Sequence, residues 1–131
     1  MDFKKEFGSN KALEETGAWF DIGEGARLKI ARAGHKKSLA YTRELLAPHS
    51  AQLAFGKLSD EASLAIAIRV MAKHILLDFE GLTDAGKPIA YSEEAASKLL
   101  AESEDFREYV SRMSNDRKGF QQKIEEAITK N

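Results

Sequence analysis

Apolar and polar residues alternate near the N-terminus in a pattern that predicts a β-hairpin. Residues 19–22 are aromatic or β-branched, the glycines of "GEG" supply a turn, and residues 26–32 alternate. The alternation directs Leu28 and Ile30 to one face and the intervening basic side chains to the other. Because an isolated hairpin is marginally stable in water, we expect its apolar face, together with Trp19, to pack against helices.

The run "EASLAIAIRVMAKHILLDF" is apolar on nearly every side, which is typical of a helix enclosed by other elements. Ser59 or Asp60 can cap its first turn. The pattern predicts a mainly α-helical fold, in which one helical domain surrounds a buried central helix at about residues 60–79. The hairpin, at about residues 19–32, precedes that helix.

A shorter helix is predicted at residues 36–46, "KKSLAYTRELL", and Pro48 ends its pattern. The connector that follows contains three large apolar residues, Leu53, Phe55 and Leu58. We expect these side chains to pack beneath the neighbouring helices.

The sequence of the C-terminal third of the chain predicts three further helical segments. Ser92 is an N-cap for a helix that ends at about Glu102, and "SEDFREYV" begins another. The last segment carries a narrow apolar stripe that includes Phe120, Ile124 and Ile128. This stripe either packs against its own domain or binds in a groove on a partner protein. Its three large residues are therefore candidate partner-binding residues.

Length and composition favour one domain over residues 1–131, with residues 1–17 and 119–131 either flexible or partner-binding. The absence of cysteine excludes disulfides and thiolate chemistry. The N-terminal segment lacks the features of a signal peptide, and the longest apolar run is too short to span a membrane. A net charge of −1 argues against nucleic acid as a partner.

Basic and acidic residues are concentrated in different parts of the chain. Residues 24–44 contain six basic and two acidic residues, whereas residues 78–108 contain nine acidic and three basic residues. Such polarity can direct head-to-tail association of identical copies. The candidate residues for these contacts are Arg27, Lys29, Lys36, Lys37, Asp78, Glu80 and Asp84.

No motif in the sequence predicts enzymatic chemistry. The acidic segment does not fit a calcium-binding EF-hand loop, whether the loop starts at Asp78 or at Glu80. The three histidines are too far apart in the sequence to suggest a metal site. No nucleophile elbow, phosphate-binding glycine loop or dinucleotide fingerprint is present. We therefore expect no catalytic residues, no cofactor and no metal.

Several quoted segments occur in an order that resembles the tail assembly chaperones of long-tailed bacteriophages and prophages. They are "AWFDIGEGARLKIARAGHKK", the apolar run that ends in "LLDFEGL", the "GKPIAYS" return, and "DFREYVSRMSNDRKGF". The resemblance covers roughly Trp19 to Phe120. One departure is Phe79, where such proteins often carry tryptophan, although an aromatic side chain is kept.

The resemblance implies a non-enzymatic protein that acts in the cytoplasm of the bacterial host and is absent from the finished virion. It implies binding to the long, apolar tape measure protein and recruitment of tail tube protein, in many of these phages through a frameshifted C-terminal extension. Head-to-tail homo-oligomers would suit this role. Two rival functions stay open at this point: a structural tail-completion or head–tail adaptor of the virion, and a nucleic-acid-binding regulator.

Overall fold

The computed structural model describes residues 1–129 of the chain. Helices account for 62% of the residues and strands for 16%, in two small sheets. The protein is therefore a mixed α/β protein with strands both near the N-terminus and in the middle of the chain. The expectation of a mainly helical domain with a single N-terminal hairpin was wrong.

Helices and strands alternate irregularly along the chain. The helices are α1 (Phe3–Phe7), α2 (Lys11–Thr16), α3 (Lys36–Leu46), α4 (Ser50–Ala54), α5 (Asp60–Val70), α6 (Glu93–Glu102), α7 (Glu104–Asn115) and α8 (Arg117–Thr129). The strands are β1 (Ala18–Gly23), β2 (Ala26–Ile30), β3 (Leu76–Glu80), β4 (Thr83–Asp84) and β5 (Lys87–Pro88). A 3-10 turn (Ala47–His49) joins α3 to α4, and a π-helical turn (Met71–Ile75) joins α5 to β3.

The larger sheet has three antiparallel strands in the order β1-β2-β3. The predicted hairpin is confirmed as β1 and β2, and Leu28 and Ile30 are fully buried on its inner face. Strand β3 adds to the free side of β2, where Phe79 lies opposite Leu28 and Leu76 lies opposite Ile30. A register shift between Lys29 and Ile30 makes room for one extra residue in β3.

The central helix was predicted too long. It ends at Val70, and the segment expected to be its last turn is strand β3. The periodicity of a short apolar run does not distinguish a helix from a strand. Here the run forms a strand, and its backbone N–H and C=O groups make hydrogen bonds with β2. The π-helical turn marks the change from one backbone geometry to the other.

The prediction that this helix is enclosed by others was also wrong. Helix α5 contains no buried residue, and Leu64 on α5 is 43% exposed. Burial begins only in the π-helical turn, at Ala72 and Ile75. The core instead lies between the three-stranded sheet and helices α6, α7 and α8, and its buried residues are Leu28, Ile30, Ala72, Ile75, Leu76, Phe79, Ala96, Leu100, Val110 and Phe120.

Trp19 does not share the buried face of the hairpin, as had been expected. It lies opposite Lys29 in the sheet, and the Arg27 guanidinium is 4.0 Å from the centre of its ring. The indole is therefore half-exposed on the outer face, where the Arg27 guanidinium makes a cation–π contact with it.

The predicted helix starts were correct because they depend on local hydrogen bonds. The hydroxyls of Ser59 and Ser92 accept hydrogen bonds from the amides of Ala62 and Ala95, respectively. Within residues 1–129, no helix is both long enough and apolar enough to cross a membrane.

Candidate protein-binding groove

An open apolar groove of about 460 Å³ lies between α3, α5 and α7, and is closed on one side by α4 and the connector after it. Its apolar lining includes Leu39, Leu46, Leu53, Ile66, Val70 and Met71. Serine, threonine and asparagine supply its polar lining, and none of the lining residues in the described chain is charged. We call this feature the apolar groove.

The apolar groove exists because α5 is apolar on most sides, while only part of it, including Ile68, packs against the core. Leu39 on α3 and Leu53 on α4 face it and remain 46% and 44% exposed. Phe55, two residues beyond Leu53, is 76% exposed. Several large apolar side chains that are close together and exposed to water mark a surface for a partner rather than a folding core.

One wall of the groove, α3, is fixed at its start by His35. The His35 Nδ1 accepts a hydrogen bond from the Ser38 amide at 3.4 Å, and Nε2 lies 2.8 Å from the carbonyl oxygen of His74 in the π-helical turn. Burial lowers the pKa of His74, and the nearby His35 side chain makes the second-largest contribution in the same direction. His35 therefore links α3 to the turn that follows α5.

The opposite wall, α7, is fixed to the segment that follows β2. The buried Ser114 hydroxyl donates to the Ala31 carbonyl at 2.9 Å. The Ser114 carbonyl accepts from the Ala33 amide and from the Arg32 guanidinium, each at 2.9 Å. Because α3 is tied to the π-helical turn and α7 to the segment after β2, the two walls hold the apolar groove open as a preformed site.

Four of the predicted charged residues lie on neighbouring strands of one molecule, and two of them form an ion pair. Arg27 donates to the Glu80 carboxylate at 2.7 Å, and this hydrogen bond raises the pKa of Arg27 and lowers that of Glu80. Lys29 and Asp78 lie opposite each other on the same neighbouring strands. The basic and acidic segments thus already face one another across β2 and β3, so these charges are less free to join two copies.

The remaining predicted charges are placed separately. Lys37 pairs with Glu15 at 3.1 Å, Lys36 is exposed at the start of α3, and Asp84 is exposed on β4 opposite Lys87. A role for any of them in binding a partner stays a prediction.

The predicted C-terminal stripe is divided between core and surface. Phe120 is 2% exposed and its ring packs edge-on against Phe20 with centroids 5.4 Å apart. Ile124 and Ile128 line a separate cleft of about 300 Å³ between α1 and α8, and Ile128 is 69% exposed. Only the last part of the stripe is therefore available to a partner, and its role in binding also stays a prediction.

Sequence patterns did not predict the apolar groove, although one signal for it was present. The signal is a helix that is apolar on nearly every side and is preceded by further large apolar residues, Leu53 and Leu58. As for metals, the described residues include no group of three or more histidine or acidic side chains placed to hold an ion.

Comparison with known proteins gives one informative result. No curated protein and no solved structure matches the chain. Residues 31–131 match the family model of the YdaY prophage protein, a range that includes every element from α3 onward and all of the groove's lining residues. The chain therefore belongs to the family of YdaY prophage proteins.

Proposed function

We propose that this prophage protein is a non-enzymatic tail assembly chaperone. It binds the tape measure protein in the cytoplasm of the bacterial host, helps to recruit tail tube subunits, and leaves before the virion is complete. Two findings support the proposal: the chain belongs to a prophage family, and the order of its sequence segments resembles that of tail assembly chaperones.

The uncharged apolar groove is the observation that carries the proposal. A long helical protein with an exposed apolar face aggregates unless that face is covered. Helices α3 and α5 each have 11 residues, so the walls of the groove extend about 16 Å, or three turns of a bound helix. The lining selects apolar side chains at i, i+3, i+4 and i+7 and offers no cation for a nucleic acid phosphate.

Several copies acting side by side would cover a long tape measure protein. Association of these copies head to tail remains part of the proposal, but the pairing of Arg27 with Glu80 within one molecule leaves other surfaces to provide the contacts. In this proposal, a frameshifted C-terminal extension provides the contact with tail tube protein.

Co-expression tests this function. The tape measure protein of the same prophage should be insoluble when produced alone, and should become soluble and co-purify when produced with this chain. A tape measure protein that stays insoluble and leaves this chain unbound would contradict the proposal.

Purified virions separate the chaperone from the structural adaptor. A chaperone is absent from finished particles, so mass spectrometry of purified particles should detect tail tube protein and not this chain. Its presence in stoichiometric amounts would favour the tail-completion or head–tail adaptor instead.

A further inference from the structure

The apolar groove leads at one end into a charged cavity of about 690 Å³. The two share four lining residues, which are Ala33, Gly34, Leu39 and Asn115. The ionisable residues that line the charged cavity are Lys11, Glu14, Glu15, Arg32, His35 and Lys36. A molecule that lies along the groove therefore meets charged side chains at one end.

Two of these charged residues are already engaged within the chain. Glu15 pairs with Lys37 at 3.1 Å. Arg32 donates to the Ser114 carbonyl, and its guanidinium lies 5.8 Å from the centre of the Phe120 ring. They support the walls of the cavity and contribute little to the binding of a further charge.

Lys11 and Lys36 are the cations that remain available. Both are exposed, and neither makes an ion pair with a residue in the described range. Lys36 begins α3, whose first turn contains no acidic residue, so the positive end of the helix dipole adds to its charge. Glu14 is 9% exposed and one of its carboxylate oxygens has no hydrogen-bond partner, which leaves it able to accept from a polar N–H or O–H.

We infer that the apolar groove binds an amphipathic helix in a single direction, with the C-terminal end of that helix and its acidic side chains over Lys11 and Lys36. This inference rests on the proposed function, since the helix belongs to the tape measure protein. The end of a helix where carbonyl groups are unsatisfied carries partial negative charge, which Lys11, Lys36 and the start of α3 stabilise. The opposite direction would place the positive end of the bound helix dipole against these two cations, which are exposed, whereas the Glu14 carboxylate that would favour it is buried.

Two designed helical peptides with the same apolar stripe test the direction of binding. One carries two glutamates in its last turn, and the other carries them in its first turn. In fluorescence anisotropy titrations against the full chain, we expect the first peptide to bind about 3- to 10-fold more tightly at low salt. The preference should shrink in about 0.5 M NaCl, because salt screens exposed charges.

Paired lysine variants identify the source of the preference. The double variant Lys11→Gln, Lys36→Gln should bind both peptides with equal affinity. A matched double variant, Lys87→Gln, Lys118→Gln, removes the same charge from exposed positions outside both cavities and should keep the preference. Equal binding of the two peptides to the unaltered chain, or a reversed preference, would overturn the inference and leave the proposed function standing.

Two other outcomes would also overturn it. In the first, neither peptide binds while the tape measure protein still co-purifies, in which case the chaperone uses another surface. Alternatively, the chain could form a dimer that Leu39→Asp dissociates, in which case a second copy occupies the groove.

Discussion

Replacing Gly81 with alanine should lower the free energy of unfolding by about 2–4 kcal/mol. Gly81 follows β3 with φ +79°, a conformation that costs an alanine about 1 kcal/mol. An added Cβ would also lie 2.5 Å from the Gly25 carbonyl oxygen in the turn of the hairpin. That neighbour is backbone and cannot move without distorting the sheet, so most of the loss comes from this contact. Urea unfolding followed by circular dichroism measures the change.

Gly86 supplies the matched control for this experiment. Its φ is +78°, and an added Cβ would meet no atom within 4 Å. Gly86→Ala should therefore show only the conformational cost, about 1 kcal/mol. Equal losses in the two variants would mean that the loop after β3 does not approach the hairpin turn, which would contradict the position of β3 in the sheet.

Leu39→Asp should weaken binding of the tape measure protein by at least about 30-fold, which corresponds to about 2 kcal/mol. Leu39 lines the groove and is 46% exposed, so the chain should tolerate the substitution and remain folded. In the complex, the new carboxylate would replace an apolar contact of the groove, and it would also compete with the acidic side chains of the bound helix for Lys36 in the adjoining charged cavity. Titration calorimetry with soluble tape measure fragments measures the loss.

Ile128→Asp is the matched control, because it places the same charge at a 69% exposed apolar residue outside the groove. We expect it to keep its affinity for the tape measure protein. The opposite result, with binding lost in Ile128→Asp and kept in Leu39→Asp, would assign binding to the C-terminal stripe instead. Unfolding midpoints of both variants show whether a loss of binding reflects a loss of folding.

Features that depend on neighbouring residues could be predicted from the sequence. The β1–β2 hairpin follows from turn glycines between alternating strands, and the starts of α5 and α6 follow from the capping hydroxyls of Ser59 and Ser92. Each of these signals lies within a few residues of its partner, so tertiary structure had little opportunity to override it.

Features that depend on residues far away in the sequence could not be predicted from it. Leu76 and Phe79 form a strand because β2, more than 40 residues earlier in the chain, has a free edge that pairs with them. For the same reason the Arg27–Glu80 pair was missed, since its residues are 53 positions apart and were assigned to opposite ends of a charge gradient. Phe120 shows a similar limit: its stripe is visible in the sequence, but the face that packs into the core is not.

The apolar groove was missed because a rule that usually holds failed here. A helix that is apolar on nearly every side is normally buried, yet α5 has neighbours on only part of its surface. When such a helix is left partly uncovered in a small chain, the uncovered side becomes a candidate binding surface.

Photo-crosslinking from the groove tests the central claim most directly. A photoreactive amino acid replaces Leu53, which is 44% exposed and lines the groove, or Ile128, which lies outside it. After co-expression with the tape measure protein and irradiation, we expect a covalent adduct with the tape measure protein from position 53 and none from position 128. An adduct from position 128 alone, or from neither position in a complex that still co-purifies, would contradict the claim that the apolar groove holds the tape measure protein.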